Sequence, residues 1–248
     1  MAKPFAALDV DGSIFKSSLA ELIVAECIRA GLFDAEAFAK TGEYRRRWQH
    51  DNNEDVYQAY LHHLVEAFVA QMAGIEVVAF EAMAQRVIRE HGVRRFGFPR
   101  RLIEAVAETH HIIAISGSPE ILVRLLLEDL GVDAIYGSRF EVVDGRFTGR
   151  AEPVGDKAVI VEQLIADGVV QRAGSIALGD TISDAGMFAL SDYPIMFNAS
   201  RTLTNRGVQG HWSRVNEVKD QVNVLTYSEN FGGYVEKSLA DLMAGITS

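Results

Sequence analysis

Asp9-Val10-Asp11-Gly12-Ser13 follows directly on the apolar run Phe5-Ala6-Ala7-Leu8. A short apolar run of this kind is a buried strand, and the acids stand where that strand should stop. Side chains two apart on a strand share a face, so Asp9 and Asp11 can look into one site. Two carboxylates that close resist ionising together, and one is held protonated unless a cation intervenes. The pair suits either a nucleophile beside a general acid or two oxygens serving a hard metal ion. Asp-Gly is also a common turn dipeptide. A calcium-binding EF-hand loop is excluded, because it wants Gly at its sixth position and Glu at its twelfth. Counted from Asp9, those positions hold Ile14 and Ala20.

The 248 residues are 48% hydrophobic and 23% charged, an ordinary balance for a chain with a substantial core in one large domain or two unequal ones. A formal net charge of -10 argues against general affinity for nucleic acid or an anionic membrane. No apolar run is long enough to span a bilayer. A cleaved N-terminal leader is not expected, since cleavage would remove Asp9. Cys27 is the single cysteine, which excludes an internal disulfide and a thiolate metal centre. It lies in an apolar stretch and reads as a small buried hydrophobe. The expected location is cytoplasmic, in a reducing compartment.

Ser17 and Ser18 can cap a helix running to Arg29, with Gly31 just past its end. From there to Gly92 the pattern is wholly helical. Tyr57, Tyr60, Leu61, Leu64, Val65, Phe68 and Met72 recur at helical spacing, and Val77 to Ile88 form another helix. After Pro99 the texture changes. Arg101–Glu108 reads as a helix, and Ile112-Ile113-Ala114-Ile115 as a strand ending at Ser116-Gly117. A helix starts with Pro119 in its first position and closes at Gly131. Asp144-Gly145 marks a hairpin between Phe140–Val143 and Arg146–Thr148. A helix over 159–166 and strands over 175–178 and 194–197 follow. Strands alternating with helices indicate a parallel sheet, whose ligands bind outside the carboxyl ends of the strands. Asp9, Ser116 and Asp180 each lie at such an end.

These residues, in this order, carry a family resemblance. The chain resembles the haloacid dehalogenase superfamily of phosphohydrolases. Its first motif is Asp9-Val10-Asp11-Gly12-Ser13, with Ser13 where that family usually has Thr. Its second is Ile115-Ser116-Gly117-Ser118, its third the lone basic residue Lys157. Its fourth is Gly179-Asp180-Thr181-Ile182-Ser183-Asp184. The helical insert after the first motif resembles the cap of the subfamily that contains phosphoserine phosphatase. The segment from Phe197-Asn198 through Trp212 to Val218-Lys219-Asp220 is similar to that subfamily's tail. The resemblance implies an α/β fold, a three-layer Rossmann-like core with a parallel sheet, formed by residues 1–15 and 96–248. An all-helical cap is expected over 16–95.

The resemblance also implies roles. Asp9 is the nucleophile and Asp11 the general acid and base. Gly12, Ser116, Gly117 and Lys157 hold the phosphate. Asp9, Asp11 through its main-chain carbonyl, and Asp180 bind Mg²⁺, with Asp184 behind them. Taken singly, Ser116 also fits a strand-end cap, Lys157 a solvated helix residue and Asp184 a helix N-terminal charge. In the insert, Glu21 and the basic run Arg45-Arg46-Arg47 are candidates for substrate specificity. Arg45-Arg46-Arg47 also fits a solvated helix face. The function implied is a magnesium-dependent phosphomonoesterase acting through an aspartyl-phosphate on a small phosphorylated metabolite. A phosphotransferase or mutase on the same scaffold, and a catalytically idle ligand-sensing or scaffold protein, remain open at this point.

Overall fold

The computed structural model describes residues 2–51 and 53–247; residues 1, 52 and 248, which fall within the ranges expected above, lie outside them. Strand β1, Lys3–Asp9, is buried from Phe5 onward and stops at Asp9. Its apolar run has no polar alternation because both faces are covered, as parallel sheets require. Four helices follow: α1 (Leu19–Arg29), α2 (Ala39–Asp51), α3 (Glu54–Met72) and α4 (Val77–His91). Ser18 caps α1 by accepting the Glu21 N–H, and Gly92 ends α4. Among the described residues no strand lies between β1 and the end of α4.

The remaining elements are α5 (Gly97–Val106), β2 (His111–Pro119), α6 (Glu120–Leu127), β3 (Ala134–Val143), β4 (Arg146–Glu152), α7 (Lys157–Ala166) and β5 (Val170–Gly179). After them come α8 (Ala185–Ala189), β6 (Tyr193–Phe197), α9 (Arg201–Gly210), β7 (Ser213–Val218), β8 (Gln221–Ser228), β9 (Gly233–Lys237) and α10 (Leu239–Thr247). Among the described residues one sheet runs β4-β3-β2-β1-β5-β6-β7-β8-β9. Pairing is parallel from β3 through β7 and antiparallel at both ends. Alternate residues of β1 divide between two apolar layers. Ala6 and Leu8 face α1, α5, α6 and α10; Phe5 and Ala7 face α7, α8 and α9. This is the three-layer α/β fold.

Several boundaries differ from expectation. Helix α5 starts four residues before Arg101, because Glu217 accepts the N–H groups of Gly97 at 2.8 Å and Phe98 at 2.6 Å. Pro99 then falls within the first turn, where its missing N–H costs nothing. Pro119 is the N-cap of α6, not its first residue, and α6 ends at Leu127, short of Gly131. The hairpin forms around Asp144 and Gly145, whose φ values of 49° and 74° suit a type I′ turn. The first half of β3 pairs with β2 in parallel, an extension the hairpin signal did not indicate.

Main-chain hydrogen bonds close the base of the helical insert and tie its outer part to the β3–β4 hairpin. At its base, Lys16 N–H donates to Arg94 O at 2.8 Å and Phe96 N–H to Ile14 O at 2.9 Å. Further out, Gly74 N–H donates to Phe147 O at 2.8 Å and Phe147 N–H to Ile75 O at 3.0 Å. There the rings of Phe68 and Phe140, 5.4 Å apart, and of Phe80 and Phe147, 5.5 Å apart, join α3 and α4 to the hairpin of β3 and β4.

Candidate active site

Strands β2 and β5 flank β1, so the chain leaves β1 toward one neighbour and later returns on its other side. A crevice opens at the carboxyl ends of strands where the order reverses in this way. The register brings Asp9 level with Ile115, one residue before Ser116, and Leu8 level with Leu178, two residues before Asp180. Motifs more than a hundred residues apart in sequence therefore meet at one sheet edge. After β1 the chain turns tightly: Gly12 has φ +83° and its N–H donates to Phe15 O at 2.9 Å. A Cβ at Gly12 would overlap the Asp180 carboxylate, so only glycine lets the two loops approach.

Asp9 is buried, and one of its oxygens accepts a hydrogen bond from Lys157 Nζ. Its other oxygen, Oδ2, is buried without a partner. Burial pushes the Asp9 carboxyl up to about 7, Lys157 opposes that shift, and Asp184 and Asp11 add to it. Asp180 is raised well above the ordinary carboxylate range by burial and by the charges of Asp9 and Asp184; its Oδ1 also lacks a partner. Lys157 stands at the start of α7, capped by Asp156. Burial works against its ammonium, but Asp184 and Asp9 outweigh burial and hold its pKa above the lysine range. Lys157 is thus a buried counter-ion, not a solvated helix residue.

Asp184 is fully buried, with both oxygens engaged. Oδ1 accepts from Lys157 Nζ at 2.6 Å, and Oδ2 accepts the N–H groups of Asp180 at 3.0 Å and Thr181 at 2.9 Å. Asp11 lies beyond the end of β1. Its Oδ1 accepts the Leu19 N–H at 2.6 Å, at the first turn of α1, and its Oδ2 accepts from Ser116 Oγ at 2.7 Å. Burial raises the Asp11 carboxyl above its ordinary value, against the pull of Leu19 and Ser116. The Ser116 hydroxyl proton is therefore directed at Asp11, and Ser116 Oγ accepts the Ser118 N–H at 3.0 Å.

Asp9, Asp180 and Asp184 bring oxygens within 4.8 Å of one another. With Asp11, four carboxylates gather around the single ammonium of Lys157. An all-oxygen donor set, excess negative charge and the two unpartnered oxygens on Asp9 and Asp180 fit a hard divalent cation such as Mg²⁺.

A cavity of about 830 Å³ joins this cluster to the helical insert. Asp9, Asp11, Gly12, Gly117, Lys157 and Asp180 line it from the sheet edge, and Glu21 and Arg45 line it from the insert. Glu21 accepts a hydrogen bond from the Tyr60 hydroxyl and pairs with Arg45 at 3.0 Å. Arg46 and Arg47 are exposed and do not line this cavity; the Arg47 guanidinium lies 5.4 Å from the Tyr44 ring. Trp48, which directly follows the basic run Arg45-Arg46-Arg47, also lines the cavity, as do Tyr57 and Tyr60, for which the sequence suggested no site role. Helical spacing marked the tyrosines only as an apolar face.

Comparison with known proteins gives the same architecture. A phosphoserine phosphatase of Archaeoglobus fulgidus is 27% identical over 144 residues, covering 56% of this chain and 40% of that protein. The chain spans less than half the length of the curated relatives it matches. A crystal structure of a protein of unknown function from Bordetella pertussis Tohama I has a TM-score of 0.71 at 17% identity, over 86% of this chain and 98% of that one. A phospho-aspartyl intermediate analogue of phosphoserine phosphatase has a TM-score of 0.58 at 18% identity, over 83% of this chain and 91% of that one. Both structures share the fold. Among the described residues, no helix is long and apolar enough to cross a membrane. The model of the haloacid dehalogenase-like hydrolase family matches residues 6–189, most of the chain, and the chain belongs to that family.

Proposed function

We propose that this protein is a Mg²⁺-dependent phosphomonoester phosphatase that works through an aspartyl-phosphate on Asp9. Its substrate would be a small phosphorylated metabolite. The observation that carries the reading is the Asp9 carboxylate, one oxygen held by Lys157 and the other unpartnered beside Asp180. Phosphoryl transfer asks for an in-line nucleophile and concentrated positive charge, and little else. Asp9, the main-chain carbonyl of Asp11, and Asp180 would hold the cation. When bound, it supplies charge that favours ionised Asp9 and neutralises the phosphoryl oxygens. Lys157 adds a fixed positive charge on the same side.

Asp9 attacks phosphorus, the ester P–O bond breaks, and protonated Asp11 gives its proton to the leaving oxygen. Water then attacks the phosphoryl group and passes a proton to Asp11. The bond to Asp9 breaks, inorganic phosphate leaves, and both carboxyls return to their starting states. Ser116 and main-chain N–H groups near Gly12 and Gly117 would hold phosphate oxygens, and the Ser116 hydroxyl, which donates to Asp11, would also orient that carboxyl. Residues 1–15 and 96–248 would form the catalytic core, and 16–95 a cap that carries specificity.

Hydrolysis of 4-nitrophenyl phosphate with and without Mg²⁺, followed by acid quenching and mass spectrometry of the peptide carrying Asp9, tests the proposal. Turnover that needs the cation and a phosphorylated Asp9 peptide are expected. Equal turnover in chelator would overturn the metal requirement. Normal turnover by Asp9→Asn would overturn the covalent route.

A further inference from the structure

Helices α2 and α3 bring the rings of Trp48, Tyr57 and Tyr60 together on the wall of the cavity that the cap supplies. Trp48 lies 4.7 Å from Tyr57 with the ring planes 40° apart, and 6.1 Å from Tyr60 with the planes 9° apart. Leu61 and Leu64 continue the apolar wall. Among the described lining residues the only cap charges are Glu21 and Arg45, and these neutralise each other at 3.0 Å. The Tyr60 hydroxyl donates a hydrogen bond to Glu21. The cap therefore offers no spare charge for the ammonium or carboxylate of an amino acid. It offers instead a surface of aromatic rings. The cavity of about 830 Å³ also exceeds what a phosphoryl group and a serine side would fill.

We propose that this wall is a subsite for an uncharged, flat apolar leaving group, so that the favoured substrates are aryl or aralkyl phosphomonoesters. The inference rests on the phosphatase reading and names its substrate class. The phosphoryl end seats against Asp9 and Lys157, where every substrate is alike. The rest of the molecule crosses to the rings of Trp48 and Tyr57. Ring-on-ring contact and loss of apolar surface from water supply the preference.

The test compares kcat/KM with Mg²⁺ for 2-phenylethyl phosphate, ethyl phosphate, phosphoserine and phosphocholine. The first two are both simple alkyl esters, so their difference reads binding of the ring and not leaving-group reactivity. We expect 2-phenylethyl phosphate to exceed ethyl phosphate by about 30-fold, and to exceed phosphoserine and phosphocholine. Trp48→Ala and Tyr57→Ala should each cut the phenylethyl-to-ethyl ratio by about fivefold, and Trp48→Phe should restore most of it. A higher kcat/KM for phosphoserine or phosphocholine overturns the proposal, as does a ratio that neither alanine variant changes. Should no ester be hydrolysed, the phosphatase reading fails, and calorimetric titration with 2-phenylethylphosphonate and ethylphosphonate decides the subsite alone. Tighter binding of the aromatic phosphonate, weakened by Trp48→Ala, supports it; equal affinities overturn it.

Discussion

Lys157 Nζ and Asp184 Oδ1 stand 2.6 Å apart with both side chains buried, and the other Asp184 oxygen holds the N–H groups of Asp180 and Thr181. Asp184 thereby fixes the ammonium beside Asp9 and the loop that carries Asp180. Asp184→Ala leaves a buried cation short of one partner and two main-chain N–H groups unpaired. The expected cost is roughly 3 kcal/mol in unfolding free energy, measured by denaturant titration. Turnover should fall as well, since both the proposed cation site and the counter-ion of Asp9 lose their support. Unchanged stability would show that Asp184 does not anchor this network.

Asp9→Asn removes the proposed nucleophile and should lower kcat on the order of 10⁴-fold or more. Asp11→Asn should behave differently with 4-nitrophenyl phosphate, whose leaving oxygen needs little protonation. Formation of the aspartyl-phosphate then survives, and its hydrolysis slows by about 10²–10⁴. Acid-quenched Asp11→Asn should carry more phosphoryl group than wild type, read by mass spectrometry. Less phosphoprotein than in wild type would contradict the role of Asp11 in the second step.

Asp180 is raised well above the ordinary carboxylate range by burial and by its neighbours Asp9 and Asp184, so its charge destabilises the metal-free fold. Asp180→Asn has nearly the same shape and no charge. It should melt higher than wild type in chelator, and it should lose most of the rise in melting temperature that Mg²⁺ gives wild type. Thermal scans with Mg²⁺ and with chelator read both effects. An undiminished Mg²⁺ response would remove Asp180 from the cation site.

Cys27 is buried in α1, and burial, with some help from Glu26, pushes its thiol up to about 12. A raised thiol pKa means the reactive thiolate is scarce until the solution is strongly alkaline. Native protein should resist iodoacetamide at pH 8, while protein in denaturant should be alkylated fully. Rapid native labelling would show that α1 opens readily.

The central strands and the acids at their ends were legible because each is local: an apolar run, then a polar residue. Their convergence followed from the alternation of strands and helices. Elements set by distant partners were not legible. The start of α5 depends on Glu217, which lies far along the chain on β7. That same buried Glu217 breaks the polar-apolar alternation by which β7 could have been read as a strand. The aromatic wall was hidden in the α3 periodicity, because one stripe of residues packs the core and faces the cavity. Arg46 and Arg47 looked equivalent to Arg45 in sequence, yet only Arg45 lines the cavity, since successive residues on a helix point in different directions.

The attachments of the helical insert bear on how the cavity can be reached. A lid held only where Lys16 meets Arg94 could swing as one piece. Here Phe68 and Phe80 are also sewn to Phe140 and Phe147 of the hairpin. Swinging the whole insert would strip these rings of their cover, at roughly 1.5–3 kcal/mol for each one fully exposed. The cavity is therefore reached most cheaply with α4 and the outer end of α3 left docked on the hairpin.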